Sequence, residues 1–223
     1  MATKDELLAA VKGGEVAKVR DLLKQDRALA AARSHDGVSM VLLALYHQRR
    51  DVADALLAAD PPLDVFDAAA VGRLPRLREL LGREPALANA WAADGFFPLG
   101  LACFFRQPEA ARMLLDARAD PRAAARNPMR VTALHAAAAA RLTDVARALL
   151  DHGADVDARQ QAGYTALHAA AQHGDTDLVE LLLSRGADPA LRSDDGKDAA
   201  GHAHDKGHHG LAERLASAAR PRS

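Results

Sequence analysis

The chain has 223 residues, a formal net charge of −1 and 26% charged side chains. That balance argues against a nucleic-acid surface and against a disordered acidic tail, and no eighteen-residue apolar stretch free of charge offers a membrane span. Alanine and leucine together exceed a third of the chain and isoleucine is absent, so the expected fold class is all-α and not a sandwich, a barrel or a parallel α/β sheet.

The alanines and leucines recur. Seven segments can each be anchored on one residue between two expected helices: Gly14, Gln48, Gly72, Arg106, Arg141, Gly174 and Gly207, at spacings of 34, 24, 34, 35, 33 and 33 residues. In the first six a leucine pair follows, from Leu22-Leu23 to Leu182-Leu183; the last has Leu215-Ala216. The first segment carries Lys4, Asp5, Glu6, Lys12 and Lys18 and reads as a polar terminal cap. The second places Tyr46 just ahead of its anchor. The short second spacing, ahead of Gly72, turns residues 58–64, with Pro61-Pro62, into a tight link.

In the third and fourth segments, Pro75 and Pro108 fall where a first helical turn tolerates proline. The fourth begins Phe97-Pro98-Leu99-Gly100 and holds Cys103, a small buried hydrophobe that suits a reducing cytoplasm. A longer loop follows at 126–130. There Arg118, Arg122, Arg126 and Arg130 recur every four residues, but Pro121 and Pro128 break any helix, leaving a solvated edge.

The fifth and sixth segments align without a gap: Thr132-Ala133-Leu134-His135-Ala136-Ala137 against Thr165-Ala166-Leu167-His168-Ala169-Ala170, 33 residues apart. Thr132 and Thr165 fit N-caps, with each histidine three residues on, as in a capping box. Gly153 and Gly186 fit left-handed residues that end the second helices. The seventh segment has Asp198-Ala199-Ala200-Gly201 at the Thr-x-Leu position and is expected to have lost its cap. Residues 1–216 are expected to form one domain and 217–223 to fray.

A 33-residue period with a T-x-L-H-x-A signature resembles the ankyrin repeat. The resemblance is most specific in segments five and six and extends, more loosely, over nearly the whole chain as about seven repeats. It implies a solenoid of stacked helix–turn–helix units joined by β-turn fingers, with His135 and His168 bridging neighbouring turns. It implies a non-catalytic scaffold that binds another protein through its concave face. On that mapping Tyr46, Trp91, Phe96, Phe104, Phe105, Met129 and Tyr164 form an apolar strip, with Phe104, Phe105 and Trp91 as anchors. Gln161, Gln172 and His173 form its polar side. The rival is that Trp91 and the Phe pair fill an irregular junction as core.

Catalytic motifs are sparse: no glycine-rich phosphate loop, no H-E-x-x-H and no C-x-x-C occurs. The one cluster is His202, His204, His208 and His209. His204 and His208 stand at the i, i+4 spacing that can hold Zn or Ni, but Gly207 interrupts the helix between them. No metal and no cofactor is expected. A metal-dependent or enzymatic module built on these histidines, or a homodimer closed by the aromatic strip, is the alternative to a monomeric cytoplasmic adaptor. The alanine-rich, isoleucine-free composition points to a bacterial source.

Overall fold

A computed structural model describes residues 2–219, which form fourteen α-helices and no strand. Helices α1 (Lys4–Gly13) and α2 (Val16–Gln25) make the first antiparallel pair, α3 (Met40–Tyr46) and α4 (Arg50–Ala58) the second, α5 (Val65–Ala70) and α6 (Leu74–Arg83) the third. Then come α7 (Pro98–Phe104) with α8 (Pro108–Asp116), α9 (Ala133–Ala139) with α10 (Thr143–Asp151), α11 (Ala166–Gln172) with α12 (Thr176–Ser184), and α13 (Ala199–Asp205) with α14 (His209–Ala218). Odd-numbered helices stack on one another as an inner layer, and α8 to α12 continue the outer layer in the same order.

The turn inside each pair is set by one residue. All seven anchors adopt positive φ, from 57° at Arg141 to 80° at Gly207. Such a left-handed residue reverses the chain within a single turn and costs nothing at glycine. Gln48, Arg106 and Arg141 carry a β-carbon there and bear a penalty of roughly 1 kcal/mol each.

Alanine decides the layer spacing. Ala133, Ala137, Ala166, Ala170 and Ala171 are buried at 1% exposure or less, so neighbouring inner helices approach on methyl groups alone. Leu114, Leu149 and Leu182 fill the space behind them, each burial worth roughly 2 kcal/mol. Gly153 and Gly186 end α10 and α12 with φ of 91° and 88°.

The fingers project from the N-terminal ends of the inner helices and are joined tip to tip by single backbone bonds. The N–H of Arg126 donates to the carbonyl of Gly95 (2.8 Å), that of Gln161 to Met129 (2.9 Å) and that of Asp194 to Ala162 (2.9 Å). Below the tips each histidine adds a clasp. His135 Nδ1 accepts from the Thr132 N–H (3.3 Å), and its Nε2 lies 3.1 Å from the Tyr164 carbonyl of the next finger. His168 repeats this with Thr165 (3.0 Å) and Leu191 (3.0 Å). A carbonyl only accepts, so the ring proton sits on Nε2 and the imidazole is neutral. Burial holds both pKa values below the usual histidine range, with His202 adding to the effect at His168.

The last pair corrects an expectation. Asp198 caps α13, its carboxylate accepting from the Gly201 N–H at 2.9 Å. A carboxylate serves as well as a hydroxyl at this position, so the inner helix keeps its cap. Helix α14 runs on to Ala218; residues 220–223 of the tail expected to fray lie outside the described residues.

Between the second and third pairs the pattern changes. Residues 59–64 link α4 to α5 without a finger. The finger before α3 therefore meets the finger before α7 directly: a β-carbon on Gly37 would lie 3.2 Å from that of Ala93. No backbone bond joins these two fingers. On the outer side α4 and α6 stand apart, with clefts between them lined by Leu57, Pro61, Arg73 and Pro75. The buried side chains divide here as well. One cluster runs from Leu7 to Leu63 and another from Val65 to Leu215. A small third set, Leu42, Ala70, Leu101 and Phe105, spans the gap with Tyr46, Phe66 and Phe96 packed on it.

Candidate functional site

The missing finger builds a groove. With one finger absent, Tyr46 at the end of α3 reaches across to the finger before α7, and its hydroxyl donates to Asp94 Oδ2 at 2.8 Å. The Tyr46 ring lies 5.9 Å from Phe96 and 5.9 Å from Phe105. Burial, reinforced by Asp94, pushes the Tyr46 hydroxyl pKa well above its ordinary value, so it is a fixed donor. Asp94 Oδ1 also accepts from the Phe96 N–H (3.2 Å), bracing the finger from inside.

The fourth pair supplies an apolar wall by replacing the polar Thr–His clasp. Phe97 stands at the N-cap position of α7 without a side-chain cap bond. Its ring folds over Gly100, where a β-carbon would come within 2.9 Å of it. Glycine in a helix costs roughly 1 kcal/mol; here it makes room for the ring. Pro98 at the first helical position has no N–H to leave unpaired.

The result is a concave groove of 660 Å³. Phe96, Phe97, Leu101 and Phe104 form one wall, Met129, Val131, Ala136 and Ala139 the other, and Asp36, Val38, Tyr46 and Asp94 the end nearest the missing finger. Phe104 is 55% exposed and Met129 45%; they are the exposed large apolar side chains among the described residues, and both flank this groove. His135, Gln160 and Ala169 complete the lining.

Of the expected strip, Tyr46, Phe96, Phe104 and Met129 come together in the groove. Phe105 does not. It is 8% exposed and faces Leu42, Ala70 and Leu101, its ring edge-on to Phe104 at 5.0 Å. Adjacent helical residues point about 100° apart, so only one of the pair can face the groove. Trp91 is likewise not an anchor there. The Arg126 guanidinium stacks on its ring at 3.5 Å, and it lines a separate small cavity beneath the two touching fingers. Its indole Nε1 is buried without a hydrogen-bond partner.

Tyr164 lies farther along the solenoid, packed against His168 and His202 with ring centroids 5.5 Å and 4.8 Å away. Gln161 and His173 are exposed and Gln172 half-buried, and none lines the groove. Asp36, Val38, Asp94, Val131, Ala136 and Ala139 were missed. The signal for the last two was available, because Ala136 and Ala139 share a face of α9 at i, i+3. The signal for Asp36 was not, because nothing local shows that its finger meets Asp94's.

The histidine cluster does not assemble. Gly207 at φ 80° ends the helix, and His208 sits over Gly174, where a β-carbon would come within 2.5 Å of its ring. His204 packs instead on His209, 4.9 Å away. Among the described residues no three His, Cys, Asp or Glu side chains converge as metal ligands. His202 is buried, its Nε2 2.8 Å from Ser193 Oγ. Cys103 is fully buried, which pushes its thiol pKa up to about 12 and leaves no thiolate for nucleophilic chemistry.

A family model of ankyrin repeats matches residues 65–160, 124–193 and 155–222, more than half of the chain. The chain belongs to the ankyrin-repeat family. The matched span starts at Val65, at the boundary between the two large side-chain clusters, so the first two ankyrin-like helical pairs precede it. No curated protein matches the chain. Ankyrin repeats are in general protein-interaction modules, and no helix among the described residues is long and apolar enough to cross a membrane.

Proposed function

We propose that this protein is a non-catalytic scaffold, monomeric and cytoplasmic, that binds a partner protein in the groove between its fingers and inner helices. One observation carries the reading: the two large apolar side chains that are exposed among the described residues, Phe104 and Met129, flank one apolar groove. Exposed apolar surface gathered in one concavity marks an interaction site, and aromatic side chains dominate binding energies. The walls are held by buried helices, so little ordering entropy opposes association.

The test is affinity capture from the native lysate beside two variants, Phe104→Glu in the groove and Gln172→Glu outside it. Both should fold, because neither side chain is in the core. The reading predicts that captured proteins are lost with Phe104→Glu and kept with Gln172→Glu. Equal capture by all three forms would place the contact elsewhere.

A further inference from the structure

The groove is apolar along its walls but acidic at one end. Asp36 and Asp94 line that end, on the two fingers brought together by the missing one. Among the described residues no lysine or arginine lines the groove. The basic side chains on nearby fingers are engaged elsewhere: Arg33 pairs with Asp64 at 2.6 Å, and Arg126 lies over Trp91. Arg130 follows Met129 in sequence and does not line the groove. His135 is buried and held neutral. Two carboxylates therefore face an apolar trough into which no described lysine or arginine reaches.

Resting on the scaffold reading above, we propose that the groove takes a short segment of a partner protein that carries a bulky apolar side chain and, close by, a lysine or arginine. The apolar side chain seats between Phe104 and Met129. The cation lies toward Asp36 and Asp94, which fixes the direction in which the segment runs. The spacing follows from a chain of contacts: Phe104 touches Phe105, Phe105 touches Tyr46, and Tyr46 holds Asp94. The direct separation is shorter than this bent path, so about four residues of extended chain suffice to span it. An acidic segment is rejected, because it would bring a third carboxylate to a low-dielectric trough.

The experiment is selection of a random dodecapeptide library displayed on phage against the immobilised full-length chain, followed by fluorescence polarisation with the enriched peptides. The expected peptides pair a bulky apolar residue with lysine or arginine within about four positions. Their binding should vanish with Phe104→Glu. It should weaken about fivefold with Asp36→Lys, an exposed finger position, and should weaken in high salt. Peptides without a basic residue, lost with Phe104→Glu but indifferent to Asp36→Lys, would overturn the charge preference and leave the groove reading intact. Peptides unaffected by Phe104→Glu would overturn both. Failure to enrich any peptide would overturn the proposal of a short linear segment.

Discussion

The stack from α7 to α14 and the junction between α4 and α5 solve one packing problem with different chemistry. In the stack every finger bonds to the next, and neutral His135 and His168 clasp the fingers to the inner helices. At the junction no finger bond forms. There Ser39 donates to the buried carboxylate of Asp67, Asp64 caps α5 through the N–H groups of Phe66 and Asp67 (2.9 Å each), and Arg33 holds Asp64. Asp67 occupies the place in its helix that histidine holds in α9 and α11, three residues after the cap. Tyr46, Phe96 and Phe105 fill the remaining gap with aromatic surface. A regular stack is joined by repeated polar bonds, and the interrupted one by a carboxylate cap network and an aromatic bridge. One end of the groove lies at that irregular join, because a missing finger is what lets Asp36, Tyr46 and Asp94 meet there.

If the junction is the weaker coupling, truncating its aromatic bridge should have the largest effect. Phe105→Ala is expected to cost about 3 kcal/mol. It should split urea unfolding into two transitions, with α1–α4 losing amide protection first in hydrogen exchange. A single transition with uniform protection would show that the two clusters are one cooperative unit.

The two regions should also respond to pH with opposite sign. His168 has a lowered folded pKa, so its contribution is present above the unfolded value near 6.5 and is lost as pH falls below it. Asp67 is pushed up to about 7 by burial, with Asp64 adding repulsion and Ser39 and Arg33 opposing it. Its contribution is present below the ordinary carboxylate value of 3.8 and is lost as pH rises through about 7. His168→Ala should cost about 2 kcal/mol at pH 8 and flatten the acid limb of stability. Asp67→Asn should flatten the alkaline limb, gaining about 1 kcal/mol at pH 8. Denaturant midpoints measured across pH check both, and parallel limbs in wild type and variants would remove the contrast.

The smallest effect sharpens the comparison. Gln48→Gly and Arg106→Gly relieve a left-handed β-carbon on either side of the junction, at φ of 58° and 60°. Each should gain about 0.5 kcal/mol, because glycine's extra unfolded-state entropy offsets part of the relief. Gln48→Gly should raise the midpoint of the N-terminal unit and Arg106→Gly that of the C-terminal stack, read from amide exchange of each. A rise shared by both units would argue against their independence.

Much of this is legible in the sequence alone. The anchors, the Thr–His capping pairs and the terminal glycines are local features, because each depends on residues within one turn of helix, and the 33-residue period is their recurrence. The cap of α13 was misread because Asp198 replaces threonine, although the chemistry of capping is the same. In the groove, Tyr46, Phe96, Phe104 and Met129 were visible because their place in the repeat register assigns a face. Phe105 and Trp91 were misassigned because register does not say which neighbour a side chain meets when the stacking is irregular.

What the sequence determined by itself is therefore the all-α repeat, where its helices start and turn, and which side of each helix faces inward. These follow from hydrogen bonding and periodicity over three to four residues. What only the tertiary structure decided is that deleting one finger brings Asp36 beside the finger of Asp94, lets Tyr46 cross the gap, and encloses Phe104 and Met129 around a groove with an acidic end. Those contacts join residues tens of positions apart, and their geometry depends on how two rigid stacks meet, which no local pattern records.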